Sequence, residues 1–407
     1  KDMGSTMKNK IHIIEVENNE KESIKKILEH INDKKITYIK NKFYKTEEIF
    51  ETIDITGPAI ILNSSGSSGK PRKCIHSVEN LISSAKASGI WLEKQGFKLQ
   101  NCLIFNTLPL NHISGLMPLF RSKIWSCDHI NISPKLIKKT KELLVFTDEI
   151  KKENQHLITS LVPTQLKRLL SEKDGINWLK IFDLIWIGGA SISSETSRKC
   201  RLEKINLAPC YGSTETAAMV TSLKPKEFLE GIDNVGEILC DINLRISKKG
   251  LIQIKSERIG IELIEPSKTK NFKDKNGWWE SSDLGEIQEL NDSSYLKFIS
   301  RIDNAFNSGG EIVFPEVIKL RLSEFISNEK IPIKNFLISN IPNKEWGNKI
   351  EIIIDFKKQT SKTDIEYSLK LLKNFSKNWP KHERPETWII DKKKSNYIKK
   401  SNFIFEK

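Results

Sequence analysis

The sequence predicts an α/β protein with a large N-terminal domain of layered α/β subdomains, a β-rich sub-region within it, and a small, mobile α+β C-terminal domain. Apolar strand-like runs alternate with helix-like stretches through the first two thirds of the 407 residues. Short strands then crowd together after about residue 235, and a second mixture of helices and strands starts near residue 303. Alternating strand–turn–helix units favour largely parallel strands, which bind ligands at their carboxyl ends.

The predicted elements follow the chain in that order. The strands of the first two thirds are Ala59–Leu62, Cys102–Leu108, Leu157–Leu161 and Leu184–Ile187, with helices after Pro109 and at Thr164–Leu170. The strands of the β-rich sub-region are Val235–Leu239, Leu244–Ile246 and Leu251–Ile254. The small domain has helices at Pro315–Glu324 and Ile365–Phe375 and strands at Asn335–Ser339 and Lys349–Phe356. We place the two domains at residues 1–302 and 303–407.

The composition is that of a folded globular chain. Hydrophobic residues make up 38% and charged residues 29% of the sequence, which excludes a disordered or fibrous protein. The net charge of +14 would suit an acidic partner such as a nucleotide, a nucleic acid or a membrane surface. It would equally suit solvated lysines, and we favour that interpretation because charge runs usually form solvated faces.

Cysteine spacing and apolar runs bear on the compartment. The six cysteines form no CxxC pair and no zinc-like spacing, so we expect buried thiols in a reducing environment. No apolar run reaches the roughly 18–20 residues that span a bilayer. The opening KDMGST, before Met7, is typical of a cloning remnant, not of a signal peptide. These features predict a cytoplasmic protein without stable membrane insertion.

A Ser/Gly-rich segment directly follows the predicted strand Ala59–Leu62. Residues 64–73 read SSGSSGKPRK, in which glycines allow backbone N–H groups to approach a phosphate, hydroxyls donate, and cations neutralise charge. The segment lacks the GxxxxGK[ST] spacing of a Walker A loop, because Pro71 occupies the hydroxyl position. The pattern indicates a phosphate loop, with a flexible linker as the alternative.

A second motif, YGSTE, occupies residues 211–215, about 20 residues after Gly188-Gly189-Ala190. A Tyr ring can stack on a base, a Thr hydroxyl can hold a phosphate oxygen, and the hard oxygens of Glu215 suit Mg²⁺. The alternative is a turn that caps a helix, with Thr214 as the N-cap.

Three further segments carry clusters of polar residues, two of them beside glycine. They are Ser282-Asp283-Leu284-Gly285, Ser300-Arg301-Ile302-Asp303-Asn304 and Ser308-Gly309-Gly310-Glu311. A buried Asp could accept both hydroxyls of a ribose, and each segment could instead form a tight turn.

Together and in this order, the motifs resemble the adenylate-forming superfamily of acyl- and aryl-CoA ligases, luciferases and peptide-synthetase adenylation domains. A more specific resemblance, to o-succinylbenzoate–CoA ligases, lies in LPLNHISGL at residues 108–116, in LFRS at residues 119–122, and in RIDN and SGGE with Pro315. The resemblance implies a ligase that adenylates an acid with ATP and Mg²⁺ and then transfers the acyl group to CoA. For this group it also implies menaquinone or phylloquinone biosynthesis.

The resemblance also implies roles for individual residues. Nucleotide binding falls to Ser64, Ser65, Gly66, Ser67, Ser68, Gly69, Lys70, Gly189, Ala190, Tyr211, Gly212, Thr214, Asp283 and Arg301, with Glu215 binding Mg²⁺ and acting in catalysis. Lys399 is the implied catalytic lysine, although Lys400 is an alternative, and Asp303 is the hinge of the small domain. Gly309 and Gly310 belong to the implied CoA tunnel. His112 is implied at the junction of acyl pocket and tunnel, and Arg121 is a candidate for a second substrate carboxylate; either could instead be structural.

Departures from the motif pattern and competing functions remain open. Arg72 replaces the usual Lys of the phosphate loop, and Ser300 stands where Gly precedes the ribose arginine. The enzyme could instead be a CoA ligase for another aryl or fatty acid, or an adenylation enzyme that loads a carrier protein. A nucleic-acid-binding protein would need lysines interleaved with aromatics, a pattern that we do not find. The sequence leaves open a homo-oligomer.

Overall fold

The chain folds into two units, each with its own hydrophobic core. One unit holds residues 1–281 and 285–298, and the other holds residues 282–284 and 299–407. The computed structural model describes residues 9–17, 21–42, 51–64, 72–265, 268–290, 292–301, 305–308, 311–343 and 345–390.

The strands within these ranges alternate with helices along the first 230 residues. The strands are β1 (Asn9–Val16), β2 (Ile36–Asn41), β3 (Thr52–Ile53), β4 (Ala59–Ser64), β5 (Arg72–Ser77), β6 (Cys102–Asn106), β7 (Asp128–Asn131), β8 (His156–Leu161), β9 (Leu184–Ile187), β10 (Leu207–Ser213), β11 (Ala218–Ser222), β12 (Glu237–Ile238), β13 (Asn243–Ile246), β14 (Leu251–Lys255), β15 (Ile261–Glu265), β16 (Lys268–Asn271), β17 (Trp278–Leu290), β18 (Ser293–Arg301), β19 (Phe306–Ser308), β20 (Glu311–Val313), β21 (Ile333–Asn343), β22 (Gly347–Phe356) and β23 (Pro385–Ile390). The α-helices are α1 (Lys21–Asn32), α2 (Val78–Glu93), α3 (Ile113–Trp125), α4 (Thr140–Ile150), α5 (Pro163–Leu169), α6 (Lys173–Lys180), α7 (Ser194–Leu202), α8 (Pro225–Leu229), α9 (Pro315–Asn328) and α10 (Lys362–Ser376).

The larger sheet of the first unit has the strand order β13-β14-β17-β18-β12-β11-β10-β9-β8-β6-β7. Strands β10, β9, β8, β6 and β7 are parallel, and they read as continuous apolar runs because helices cover both faces. Alternate residues enter two cores: Ile185 and Ile187 pack into one, and Leu184 and Trp186 into the other. Because these strands are parallel, their carboxyl ends lie along one edge of the sheet.

Helices α2 and α3 lie between the larger sheet and a smaller one. Val78 and Leu81 of α2 pack against residues of β1, β2 and β4, whereas Trp91 and Leu92 pack against the larger sheet. The smaller sheet has the order β16-β15-β5-β4-β2-β1-β3. Helix α2 starts at a favourable cap, since the Ser77 hydroxyl accepts from the Asn80 N–H. These stacked sheets and helices are the layered α/β subdomains expected from the sequence.

The prediction of α/β class is confirmed, and several predicted elements lie within one or two residues of the observed ones. The expectation of largely parallel strands is wrong for part of the large unit. Antiparallel ladders join β4 to β5, β10 to β11 and β11 to β12. The connection between β10 and β11, residues 214–217, is too short for the crossover that a parallel pair requires.

The second unit contains the sheet β21-β22-β23, covered by α9 and α10. Strands β21 and β22 form a long antiparallel hairpin, and β23 pairs with β22 in parallel. The aromatic rings of Phe325 and Phe375 stack with centroids 3.9 Å apart and so join the two helices. This mixture of helices and strands agrees with the α+β character predicted for this region.

Two further observations concern membranes and cysteines. Across the described ranges, no helix combines the length and apolarity needed to cross a membrane. The cysteines are free thiols, and Cys74, Cys102 and Cys200 are buried, as expected. Cys240 is exposed, so the expectation of burial is wrong there; it lies in the turn that follows the short strand β12.

Candidate active site

The carboxyl edge of β9 and β10 brings two of the predicted motifs together. Ile187, the last residue of β9, pairs with Pro209 of β10 on one side and with Leu161 of β8 on the other. The chain then turns through Gly188 and Gly189, where Gly189 has a φ of +83°, a conformation that favours glycine. Gly189 and Ala190 are exposed at this edge, as a ligand-binding segment must be.

The YGSTE motif forms the end of β10 and the turn into β11. Tyr211 is buried, with its ring centroid 6.2 Å from that of Phe298. Gly212 is required by close packing, because a side chain there would collide with the Ala218 carbonyl. Residues 214–217 form a turn and no helix follows, so the alternative of a helix cap at Thr214 is wrong.

The backbone of this turn is held in an unusual conformation. Ala217 and Ala218 have φ values of 52° and 75°, in the left-handed region that costs an L-residue about 1–2 kcal/mol. The Thr216 hydroxyl donates to the Ala218 carbonyl at 2.8 Å and accepts from the Ser213 N–H at 3.0 Å. Residues held in such conformations need support from the surrounding structure.

Part of that support comes from His76 on β5 and from Gly260. The imidazole Nε2 of His76 lies 2.6 Å from the Thr214 carbonyl oxygen, and the Gly260 N–H donates to the Glu215 carbonyl at 2.9 Å. His76 is 1% exposed, and this burial lowers its pKa to about 4. The imidazole is therefore neutral at physiological pH and donates one N–H to the turn.

A buried arginine supports the far side of the turn. The Arg258 guanidinium donates through Nη2 to the Met219 carbonyl at 2.8 Å and through Nη1 to the Ser84 hydroxyl at 2.5 Å. The Ser84 hydroxyl in turn donates to the Ala217 carbonyl at 2.5 Å. Asp241 balances the charge, with its Oδ2 3.0 Å from Arg258 Nε.

Glu215 places a carboxylate at this edge. Its side chain is buried and lies 3.9 Å from the half-exposed Arg72 guanidinium, measured from Oε1 to Nη2. No cluster of three or more metal-ligating side chains occurs in the part of the chain that the structure describes. A single carboxylate fits Mg²⁺ all the same, because this ion usually binds one or two carboxylates together with substrate phosphates.

The LPLNHISG segment follows β6 and runs into the first turn of α3. His112 is the residue before α3, its side chain is exposed, and no side-chain bond caps the helix. Desolvation by the surrounding protein nevertheless lowers the pKa of the imidazole. The neighbouring Asn111 is 6% exposed, and its Oδ1 has no hydrogen-bond partner among the described residues.

Arg121 lies on the buried face of α3, beside the ends of β9 and β10. Its guanidinium carbon is 4.6 Å from the centroid of the Trp186 ring, and its Nε donates to the Ser88 hydroxyl at 3.2 Å. Burial lowers the pKa of Arg121 to about 10, which leaves it protonated at neutral pH. It forms no ion pair with any carboxylate of the described ranges.

Two predicted ribose residues belong to the second unit. Asp283 lies in β17 and Arg301 at the end of β18, with Asp283 Oδ1 3.3 Å from Arg301 Nε. The tight-turn alternative is wrong for Asp283, since this residue lies inside a strand. Ser300, in the position of a family glycine, lies in β18, where an extended backbone accepts a serine.

Other predicted site residues fall outside the described ranges, and their roles stay predictions. Ser64 is described at the end of β4, where its hydroxyl is buried and has no partner among the described residues. The residues outside these ranges are Ser65, Gly66, Ser67, Ser68, Gly69, Lys70, Asp303, Gly309, Gly310, Lys399 and Lys400.

Sequence reasoning missed His76 and Arg258. His76 is separated from Thr214 by 138 residues, and Arg258 from Ser84 by 174, so no local pattern links the partners. The available signal was weak: each residue lies beside an isoleucine, but among other polar and charged residues that gave no reason to single it out.

The fold and this edge define an α/β protein with a candidate ligand site, and a family comparison makes the class specific. Residues 5–254 match the family described as AMP-binding enzyme, and the chain belongs to that family. A 2-succinylbenzoate–CoA ligase of Listeria monocytogenes is 28% identical over 305 residues, or 75% of this chain. The chain spans 61% of the length of that relative.

Solved structures share the fold. The o-succinylbenzoate CoA synthetase of Bacillus subtilis, in complex with its acyl-adenylate intermediate, has a TM-score of 0.68 at 19% identity. That comparison covers 94% of this chain and 84% of the other. The same enzyme in complex with ATP and magnesium ion gives a TM-score of 0.63 at 19% identity, with coverage of 94% and 86%.

Proposed function

We propose that the protein is an AMP-forming acid–CoA ligase that converts o-succinylbenzoate, ATP and CoA to o-succinylbenzoyl-CoA, AMP and pyrophosphate. The observation that carries the proposal is the buried guanidinium of Arg121 beside the edge that bears Gly189, Tyr211 and the Thr214–Glu215 turn. Similarity to 2-succinylbenzoate–CoA ligases supports the choice of acid. The product would serve menaquinone or phylloquinone biosynthesis.

The first half-reaction joins two anions, since a carboxylate attacks the α-phosphorus of ATP and pyrophosphate leaves. In this proposal the Thr214 hydroxyl donates to an α-phosphate oxygen, and Tyr211 with Gly189 and Ala190 frames the adenine. Glu215 would hold Mg²⁺, which supplies positive charge at the phosphates. The residues of the turn are positioned before the nucleotide arrives, and such preorganised groups lower a barrier most effectively.

The acid would carry a second carboxylate, which needs a cation when it is buried. Arg121 meets this need because it is buried, protonated and held only by a neutral hydroxyl and an aromatic ring among the described residues. His112 at the start of α3 is proposed to face the reacting carboxylate and the CoA thiol. Both groups come from α3 and the residue before it, so one helix would orient the acid.

The two predicted domains have separate proposed roles. We assign the binding of ATP and the acid to residues 1–302, and the catalytic lysine, Lys399, to residues 303–407, with Asp303 as the hinge. Asp283 and Arg301 would bind the ribose. CoA would reach the acyl-adenylate beside Gly309 and Gly310 after the small domain turns, because one pocket cannot hold both sets of reactants.

The decisive experiment measures acid-dependent release of AMP and pyrophosphate with ATP, Mg²⁺ and CoA. The acids are o-succinylbenzoate, benzoate, 4-coumarate and octanoate, so that a dianion is compared with aromatic and aliphatic monoanions. We expect turnover with o-succinylbenzoate and less than about 1% of it with the others, since each lacks the second carboxylate that Arg121 would bind.

The other outcomes distinguish an error in the proposed acid from an error in the proposed reaction. Turnover of a monoanion alone would overturn the assignment of the acid and leave AMP-forming ligation in place. Pyrophosphate release without thioester formation would indicate an adenylation enzyme. No binding of ATP by the purified chain would overturn the proposed function as a whole.

A further inference from the structure

We propose that His76 is a positioning residue for nucleotide activation: its Nε2–H holds the Thr214 peptide so that the Thr214 hydroxyl and Glu215 carboxylate meet the α-phosphate and its metal ion. This inference rests on the proposed function. It assigns a role to a residue that belongs to none of the family motifs described above.

The hydrogen-bond geometry fixes the tautomer of His76. A carbonyl oxygen only accepts, so the Nε2 atom that lies 2.6 Å from the Thr214 oxygen must carry the proton. The other ring nitrogen, Nδ1, is then the acceptor, and the Asn80 side-chain amide lies 3.4 Å from it as a donor. Asn80 belongs to the first turn of helix α2, so this helix orients the His76 ring. The ring in turn orients the Thr214 peptide.

The surroundings keep His76 in this single state. The ring is 1% exposed, burial disfavours its protonated form, and the positive charge of Arg258 disfavours it further. The Cys74 sulfur lies 3.4 Å from Nε2. A neutral ring with a defined N–H donor therefore faces the turn across the whole physiological pH range.

The hydrogen bond from His76 reaches the peptide that joins the two residues proposed to bind phosphate and metal. The peptide that His76 holds joins Thr214 to Glu215, and the next carbonyl is held separately by the Gly260 N–H at 2.9 Å. Loss of the His76 hydrogen bond frees the Thr214 carbonyl, whereas the Glu215 carbonyl stays bonded to the Gly260 N–H. The Thr214 hydroxyl would then lose its fixed direction while the strands on both sides remain paired, which predicts a defect in nucleotide binding with a small effect on folding.

The test uses two substitutions that differ in reach. His76→Gln can place an amide N–H near the position of Nε2, whereas the shorter His76→Asn cannot reach the Thr214 carbonyl. We measure binding of Mg²⁺ and the non-reacting analogue α,β-methylene-ATP to the full chain by calorimetry. We expect His76→Asn to weaken binding about tenfold, the effect of one well-placed hydrogen bond, and His76→Gln to recover most of it.

A matched control removes a buried hydroxyl elsewhere in the same unit. Thr147 on α4 is fully buried, donates to the Leu143 carbonyl and accepts from the Trp178 indole. Thr147→Val should lower the melting temperature without changing affinity for the nucleotide analogue. Asn80→Ala, at a half-buried position, is a milder variant that loosens the ring; it should weaken binding about two- to threefold in a folded protein.

Each result decides a different question. Failure of the unsubstituted chain to bind the nucleotide would reject the proposed function and not the role of His76 within the fold. Normal binding by His76→Asn and Asn80→Ala would overturn the positioning role, as would equal losses in His76→Asn and Thr147→Val. A loss in Asn80→Ala supports it even if His76→Asn fails to fold.

Discussion

Arg258 and Arg121 are both buried in the large unit, yet the protein surrounds the two guanidinium groups differently. Arg258 faces Asp241, a carbonyl and a hydroxyl, so a protein carboxylate balances its charge and both Nη groups donate to protein atoms. Arg121 has a hydroxyl and the face of an indole ring, and among described residues it has no carboxylate. Removal of a cation from water is costly unless a counter-charge replaces the solvent.

This difference indicates that the charge of Arg258 is structural, whereas the charge of Arg121 is available to a ligand. Arg258 ties α2, the turn after β10 and the segment before β15 into one network, so its partners are needed whenever the protein is folded. Arg121 retains a net charge that an anionic ligand can neutralise. A buried cation of that kind is a candidate for a functional site, because the fold alone gives no reason for its cost.

The largest predicted effect concerns Arg258. Arg258→Met leaves the Asp241 carboxylate and the Met219 carbonyl without their donor, and we expect a loss of about 3–5 kcal/mol in the free energy of unfolding, measured in urea. The control is Arg245→Met, at an exposed arginine over the Trp278 ring, where we expect less than about 1 kcal/mol. Equal losses in the two variants would remove the structural role of Arg258.

The second prediction concerns the pH dependence of the network beside Arg258. Unfolded His76 binds a proton near its ordinary pKa of 6.5, whereas the folded protein holds it neutral down to about 4. Proton uptake by the unfolded chain therefore lowers the free energy of unfolding as the pH falls from 6.5 to 4, by up to about 3 kcal/mol. His76→Gln should remove that part of the pH dependence.

Unfolding in urea at several pH values provides the measurement. His129, whose pKa is also lowered to about 4 by burial, should contribute a similar slope in both proteins. Identical slopes for the unsubstituted chain and His76→Gln would show that His76 is not held neutral by the fold.

The third prediction concerns Arg121 and should differ in kind from the first. Arg121→Met should change the free energy of unfolding by no more than about 1 kcal/mol, because no carboxylate among the described residues loses its partner. The KM for o-succinylbenzoate should rise about 10- to 100-fold, the contribution of a charged hydrogen bond, while the KM for ATP stays unchanged. Arg121→Lys should recover part of the loss, since an ammonium keeps the charge but not the planar fork.

Steady-state kinetics and a urea titration of the same preparations test this contrast. If Arg121→Met destabilises the protein as much as Arg258→Met does and leaves the KM for the acid unchanged, Arg121 is a structural residue. The proposed contrast between the two arginines would then be wrong.

Local patterns predicted the strands and motifs well because their causes are local. The run Leu184–Ile187 is buried on both faces and was predicted with its observed bounds. The YGSTE motif was recognisable because glycine, hydroxyl and carboxylate occur in one short segment. The turn that it forms could not be distinguished from a helix cap, because Thr214 suits both and the deciding partner, His76, comes from another strand.

The buried supports of the site could not be predicted for the same reason. The hydroxyl of Ser84 and the guanidinium of Arg258 meet only after α2 and the chain before β15 have packed together. The left-handed backbone of Ala217 and Ala218 is equally hidden, since alanine seldom adopts it and the sequence offers no glycine as a signal.

The exposure of Cys240 has a practical consequence for chemical labelling. Burial raises the pKa of the thiols of Cys102, Cys127, Cys200 and Cys210 to about 12, and that of Cys74 rises as well. Since thiolates are the reactive form, these five react slowly with a maleimide. Cys240 is open to the reagent and precedes Asp241, the partner of Arg258. A fluorophore attached there would report on that ion pair without any engineered cysteine.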